Sequence, residues 1–444
     1  MSKETFGSLT DSPAAFTVVG ARVIDPVART DDIRDVAVVD GFIALEPDPA
    51  AERIDGRGLV LAPGLCDLHA HLREPGGEAA ETVASATRAA ARGGFTTICA
   101  MPNTEPPLDS AEAVADGSSV DGACRVRVIG AATIGRSGEE PADLTSMAAA
   151  GAVAFSDDGA SVRDASIALR VMERLGELGL PLVEHAEDAD LAGAGVMREG
   201  LVALRMGLAG WPAEAELRVV ERDIAIAEET GARLHVTHLS TARGLDAVRS
   251  ARSRGVAVTC DVTPHHLAMT DAWVAGSRRF AWNDPDELPD RAYDGSCRVN
   301  PPLATREDAL ALLAGIGDGS VDAIATDHAP HPAERKLVPF DEAAPGLIGL
   351  ETALSLGLAA VESGRLELGA LVAALSTRPG SIIGETRSLA VGSAAELVLF
   401  DPEARWRVER ETLASASSNT PLLGMELPGV VRLTVAGGRV TYRS

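Results

Sequence analysis

Lysine is almost missing from this sequence. Lys3 and Lys336 are the only two among 40 basic residues, and 65 acidic residues leave a formal charge of −25. A nucleic-acid-binding surface needs a basic stripe or patch, and none can be assembled here, so that class is excluded. Long apolar runs are missing too. No stretch approaches the ~20 residues that span a bilayer. The leading MSKETFGSLTD is polar and acidic, unlike a secretory signal. A soluble, cytoplasmic protein is expected. Cysteine is sparse and scattered: Cys66, Cys99, Cys124, Cys260 and Cys297, with no CxxC pair and an odd count. That argues against a disulfide framework or a thiolate zinc site and predicts reduced, buried thiols. The acidic excess is spread along the chain without an acidic block. Such a surface suits high salt, where screening relieves self-repulsion, so a halophilic adaptation is expected.

What the chain does have is length and apolar content. Its 444 residues, 46% of them hydrophobic, fit a large α/β barrel of roughly 250 residues or more plus a smaller module. The two ends read alike. FTVVGARVID, DVAVVDGFIAL and ERIDGRGLVLAPG are short strands broken at Gly20, Asp40–Gly41 and Asp55–Gly56. AAELVLFD, RWRVE and VVRLTVAGGRVTYR near the other end read the same way. Residues 1–62 and 388–444 are therefore assigned to one small β-sandwich module built from both ends, and 63–387 to a barrel.

In the middle, short apolar runs alternate with Ala-rich helical segments such as EAAETVASATRAAARGG and DASIALRVMERLGELG. The runs are LCDLH (65–69), FTTICAMPN (95–103), RVRVIGAA (125–132), AVAFSDDG (152–159), LPLVEHAE (180–187), RLHVTHLS (233–240), VAVTCDVTPHH (256–266) and VDAIATDHAP (321–330). Eight strands alternating with helices predict a (β/α)8 TIM-like barrel with its site at the C-terminal strand ends. Residues 273–299 break the rhythm and read as a long surface loop.

Groups able to hold a metal gather at those strand ends: His69 and His71, Asp157 and Asp158, His185, His238, and Asp327 with His328. A lone buried histidine is more often structural. Here at least five strands end in His or Asp, and a barrel brings such ends to one mouth, so a metal site is predicted. In DLHAHLREPGG, His69 and His71 are two apart and share a face, with Leu68 and Ala70 opposite. Asp67 shares the histidines' parity one step deeper and reads as their support. In RLHVTHLS, His238 shares a face with Val236 and is taken as the ligand. His235, of the other parity, reads as a structural residue facing the helices. His328 points away from Asp327 by the same rule. Imidazole and carboxylate without thiolate suit zinc, and four histidines with two aspartates suffice for two ions sharing a bridge. Pro75, Gly76 and Gly77 are expected to shape the turn after the first strand.

DLHAHLREPGG, MPNTEPP, TPHHLAMT, RVNPPL and ATDHAPH together resemble the cyclic amidohydrolase superfamily, and within it the aspartate-bridged branch of the type I dihydroorotases. The resemblance runs over most of the chain, to the tail SSNTPLLGMELPG. The HxH pair alone marks only the superfamily; HLREPGG with MPNT, NPP and TDHAPH is far more selective. The resemblance implies reversible hydrolysis of (S)-dihydroorotate to N-carbamoyl-L-aspartate in de novo pyrimidine biosynthesis, by a hydroxide shared between two zinc ions. It implies that His69 and His71 bind one ion and His185 and His238 the other. Asp327 would bind the first ion and act as the catalytic acid/base. Many relatives bridge their ions with a carboxylated lysine on the fourth strand. This chain cannot, because Lys3 lies in the tail and Lys336 in a loop past the eighth strand. Its fourth strand ends in FSDDG, so an aspartate must bridge. Asp158, beside Gly159, matches the branch, with Asp157 as rival or as a support for the turn.

Arg73 offers a planar fork for the ring carboxylate of dihydroorotate; its alternative is a surface salt bridge with Glu74 or Glu78. By resemblance, Asn103 and His331 complete that pocket, Asn300 contacts the ring and His71 also faces the substrate. His265 and His266 match no ligand of the family and read as supporting or structural residues. The resemblance also implies a homo-oligomer and association with aspartate carbamoyltransferase. Two features depart from the family. The 273–299 segment stands where a shorter connection is expected, and APGLIGLET places Pro345 and Gly346 where the pocket often has a Phe-Gly pair. The rivals are an allantoinase or a hydantoinase/dihydropyrimidinase, whose substrates lack the ring carboxylate, and a non-catalytic scaffold relative, which would have lost ligands that this chain keeps.

Overall fold

The eight apolar runs each contain one strand of a single parallel sheet, in chain order: β1 (Leu65–Ala70), β2 (Phe95–Ala100), β3 (Arg125–Ala131), β4 (Ala154–Ser156), β5 (Pro181–Glu184), β6 (Arg233–Val236), β7 (Val258–Val262) and β8 (Ala323–Ile324). A parallel bridge from Ala70 to His328 brings the last strand back to the first, which makes the sheet a nearly closed (β/α)8 barrel. The computed structural model describes residues 4–285 and 293–444. Lys3 and part of the 273–299 stretch therefore lie outside the described residues.

The helices begin and end where the sequence marks them. Thr82 caps Val83–Arg92 by accepting from Ser85 N, while the Ser85 hydroxyl accepts from Thr82 N. Asp164 caps Ala165–Leu178, which ends at Gly179 in the left-handed region (φ 70°). Caps of this kind contribute about 1 kcal/mol each. The larger contribution is burial: Ile167, Ala168, Val171, Met172 and Leu175 form an apolar stripe on that helix. They join Leu182, Leu234, Val236 and Val258 of the strands in the layer between barrel and helices. A separate cluster, including Leu68, Cys99, Met101, Ile129, Ala154, Val183 and Ala323, fills the barrel interior. All five cysteines are free and buried.

The chain ends form a second, curled sheet of nine strands. Thr5–Phe6, Phe16–Asp25, Thr30–Val39, Phe42–Ala44, Glu52–Asp55 and Val60–Pro63 join Leu397–Arg407, Glu426–Ala436 and Arg439–Arg443. The sheet has its own core, with Phe16, Val18, Val23, Val38, Leu61, Leu397, Leu399 and Val435. Val60–Pro63 pairs with Leu397–Phe400, and only Gly64 separates it from β1. The curled sheet is thus joined directly to the barrel's first strand.

The stretch read as a surface loop is largely packed where it is described. Trp273, Val274, Cys297 and Val299 sit in an apolar cluster with Met269, Leu303 and Phe340. The Phe280 ring lies 6.0 Å from that of Trp273 and 5.0 Å from that of Trp282. The reading as a surface loop holds for residues such as Arg278, Arg279 and Asn283, which are exposed, but misses the buried anchors, which are isolated and have no period. Lys336 also differs from its reading. It closes a short helix, Ala333–Lys336, and is buried. Among the described residues no helix is long and apolar enough to cross a membrane.

Candidate active site

Four histidines and two aspartates converge at the C-terminal mouth of the barrel. The two oxygens of Asp158 face different pairs of rings. Oδ2 lies 3.4 Å from His69 Nε2 and 3.6 Å from His71 Nε2. Oδ1 lies 3.6 Å from His185 Nδ1 and 3.5 Å from His238 Nε2. Asp327 Oδ1 stands 3.1 Å from His71 Nε2 and 3.5 Å from His69 Nε2. Two donors each about 2.0–2.1 Å from one tetrahedral ion are roughly 3.3–3.5 Å apart, so these separations suit shared cations. His69–His71–Asp158 and Asp158–His185–His238 are each close enough to hold an ion. His69 Nε2 and Asp158 Oδ1 are buried without any hydrogen-bond partner. Such orphaned groups are costly unless something satisfies them, and a cation held by each one's own group of donors would. The donor set therefore fits metal binding, with Asp158 common to both groups of donors.

The field at the mouth is strongly negative. Burial pushes the His69 imidazolium down, but Asp158 and Asp327 outweigh it and raise it to about 9. Burial opposes His185 likewise, and Asp158 with Glu187 raises it to about 10. In the other direction, burial pushes the Asp327 carboxyl up, yet His69 and His71 hold it below the usual carboxylate range.

The ring nitrogens facing away from the centre are also held, which fixes the orientation of three of the rings. His69 Nδ1 meets Thr237 Oγ1 at 2.9 Å, His71 Nδ1 meets Asn103 Oδ1 at 2.8 Å, and His185 Nε2 meets Glu187 Oε2 at 3.0 Å. Beneath them lies Asp261, fully buried. Its carboxylate accepts from Thr237 Oγ1 (3.0 Å), His238 N (2.7 Å) and the His235 ring (2.8 Å).

Strand parity misplaces several residues. His235 does not face the helices. It is in register with Val183, which lines the barrel interior, and its ring bonds Thr259 and Asp261 under the site. Val236 belongs to the outer layer while His238 turns into the mouth, because the strand ends at Val236 and His238 takes a left-handed φ of 37°. In β1 the pairing with β2 shifts register between Asp67 and Ala70. Leu68 therefore fills the interior and Ala70 joins the outer layer, rather than both lying opposite the histidines. Asp67 does not touch an imidazole. It accepts from the His69 and Thr326 backbone N–H groups and from Thr326 Oγ1, tying β1 to the segment after β8.

Asp157 turns away from the histidines and accepts from Ala132 N, Thr133 N and Thr133 Oγ1, which anchors the turn after β3. His328 accepts from Gly349 N and pairs with Glu81. His266 bonds Thr263 and the carbonyls of Pro301 and Pro302, whereas neither nitrogen of the buried His265 finds a partner.

The donors open onto a cavity of about 260 Å³ that Arg73, Asn103, Asn300, His331, Pro345 and Gly346 also line. Arg73 Nε donates to Pro330 O (3.2 Å) and Nη2 stands 3.4 Å from His331 Nε2. It pairs with neither Glu74 nor Glu78, which instead accept from Val83 N and Gly76 N. Asn300 Nδ2 donates to Glu187 (2.7 Å). A larger cavity, about 700 Å³, opens beside the helices 83–92 and 111–118. No histidine lines it, so converging donors rather than size mark the site. Sequence reasoning missed Glu187, Thr237 and Asp261. For Glu187 the signal was there: two residues past His185 in EHAE.

Comparisons with known proteins give the family of the chain. Residues 58–243 match the family described as dihydro-orotase-like. The chain is 44% identical over 434 residues to a dihydroorotase of Anaeromyxobacter sp. (strain K), covering 96% of this chain and 97% of that one. It is 41% identical to a dihydroorotase of Desulforapulum autotrophicum, covering 96% and 98%. Among solved structures, an L-hydantoinase (dihydropyrimidinase) from Arthrobacter aurescens matches with a TM-score of 0.82 at 25% identity, over 96% of this chain and 95% of that one.

Proposed function

The chain belongs to the dihydroorotase family, and on that premise we propose that it interconverts (S)-dihydroorotate and N-carbamoyl-L-aspartate in pyrimidine biosynthesis, as a zinc enzyme. The observation that carries the choice of substrate is Arg73. Its guanidinium borders the metal-binding donors with no carboxylate within 4.0 Å among the described residues, so a ring bearing its own carboxylate complements it. Allantoin and the neutral dihydropyrimidines offer no such group.

Two zinc ions, one held by His69, His71 and Asp327, the other by His185 and His238, with Asp158 between them, would supply the charge that acidifies a water and polarises the ring amide carbonyl. Arg73 and His331 hold the carboxylate and aim the amide at the metal-binding residues. Asn103 keeps His71 oriented and Asn300 borders the ring. Asp327, held ionised by its histidine neighbours, takes a proton from the attacking water and returns it to the leaving ring nitrogen. Run in reverse, the same groups close carbamoyl-aspartate into the ring. Arg73 binds a group that does not react, so its contribution falls on binding and orientation. A cytoplasmic homo-oligomer that associates with aspartate carbamoyltransferase completes the reading; light scattering with and without that enzyme checks it.

The deciding experiment assays the protein on dihydroorotate, allantoin and dihydrouracil alongside metal analysis. Turnover of dihydroorotate alone, with about two zinc ions per chain, is expected. A fully metallated protein that leaves dihydroorotate untouched would overturn the proposal.

A further inference from the structure

Lys336 is the only lysine among the described residues, and it is 5% exposed. Its ammonium donates to three carbonyls: Arg298 O at 3.0 Å, Ala344 O at 2.7 Å and Gly346 O at 2.8 Å. Three acceptors converging on one point match the three N–H bonds of an ammonium. A planar guanidinium fans its donors outward and cannot gather them at one apex. Among the described residues every other basic side chain of the lysine/arginine pair is arginine, and the geometry gives a reason for lysine here.

The three carbonyls come from two segments bordering the reaction cavity. Arg298 lies two residues before Asn300, and Ala344, Pro345 and Gly346 form part of the cavity wall. The His331 ring meets Pro345 O at 2.8 Å and Arg73 Nη2 at 3.4 Å. Asn419 holds the same wall, donating to Gly346 O (3.1 Å) and Ala329 O (3.0 Å) while accepting from His331 N (3.0 Å). Gly346 has φ +130°, and a Cβ there would lie 2.6 Å from Ala329 Cβ. At Gly346 the wall is bare backbone, held by contacts from behind.

We propose that Lys336 is a positioning residue for substrate: from behind the wall it pins the Ala344–Gly346 turn to the Arg298–Asn300 segment, so that His331 and Arg73 meet the substrate carboxylate in one fixed arrangement. The proposal rests on the reading of Arg73 and His331 as the carboxylate site. Its reach is geometric. Among the described residues Lys336 bonds no metal-binding residue, and its one link toward the ion sites runs through Asn300 to Glu187 beside His185, so loosening it should fall first on the carboxylate end of the cavity.

The test compares Lys336→Met and Lys336→Arg with the wild-type zinc-loaded protein, reading KM, kcat and zinc content separately. KM for dihydroorotate should rise at least roughly tenfold in both, with kcat within a few-fold and zinc unchanged. Arginine should not rescue, because it restores the charge without the three-way donation. Should Lys336→Met fail to fold, Lys336→Arg alone decides. Wild-type KM in Lys336→Arg, or loss of zinc in either variant, overturns the proposal. Arg73→Ala, measured in parallel, separates the two ideas. If KM is unchanged there, the carboxylate reading itself fails; if it rises there but not in Lys336→Arg, only the role of Lys336 fails.

Discussion

Replacing Arg73 with alanine isolates substrate recognition from metal chemistry. Arg73 leaves the first barrel strand two residues past His71, with its guanidinium beside the ion-binding donors; among the described residues it donates to Pro330 O and its Nη2 stands 3.4 Å from the His331 ring. Burial pushes its pKa down, against Asp327 and Asp158, which pull it up. A partly desolvated cation without a carboxylate of its own gains most from an anionic ligand. A hydrogen bond to a charged group contributes about 1.5–3 kcal/mol, and a forked guanidinium–carboxylate contact falls near the upper end. Losing about 3 kcal/mol weakens binding roughly 150-fold, at 1.4 kcal/mol per factor of ten. The left-handed backbone at Arg73 (φ 61°) does not confound the result, because alanine meets the same strain as arginine. Steady-state kinetics on dihydroorotate should show KM raised by that order, kcat within roughly tenfold of wild type, and full zinc by metal analysis. Arg73→Lys should recover part of the loss, since an ammonium keeps the charge without the fork. An unchanged KM, or loss of zinc from Arg73→Ala, refutes the reasoning.

Two further outcomes follow from other parts of the molecule. Asp261→Asn keeps the shape but replaces an acceptor shared by Thr237, His235 and the His238 backbone; zinc affinity should fall about 10- to 100-fold in competition with a chelator, and wild-type retention would show that these contacts do not support the ion sites. The spread-out acidic excess predicts that the melting temperature rises from low salt to molar KCl; an unchanged melting temperature would remove the case for a halophilic surface.

The barrel was readable because parallel strands are buried on both faces and appear as largely apolar runs, and because the donors that meet at the mouth lie at the C-terminal ends of those runs. His69, His71, His185, His238 and Asp327 stood out as candidates for the same reason, whereas the choice of Asp158 over Asp157 came from the resemblance and not from the pattern. Orientation was less readable. Alternation holds only while a strand lasts and its pairing stays in register. Beyond Val236, and across the shift in β1, it no longer reports where a side chain points. His235 reads as outward from its neighbours in sequence and inward from its register with Val183. The contacts of Asp261 reach back to the preceding strand, and those of Lys336 run to Arg298 and to carbonyls eight and ten residues on, so no local pattern announces them. The burial around Trp273 and Phe280 is equally invisible to a search for periodicity, since single anchors have no period.

The sheet made from both chain ends sets an order on synthesis. Its inner strand, Val60–Pro63, waits for its antiparallel partner at Leu397–Phe400, with the whole barrel translated in between. On the ribosome the first strands must therefore persist as an unfinished edge, open to wrong pairing, until the last segment emerges. Thr5–Phe6 pairs with Tyr442–Arg443, so the first and last strands of the described residues lie side by side. A circular permutant that joins them and opens the chain in a barrel loop would make the sheet contiguous and shorten that exposed interval.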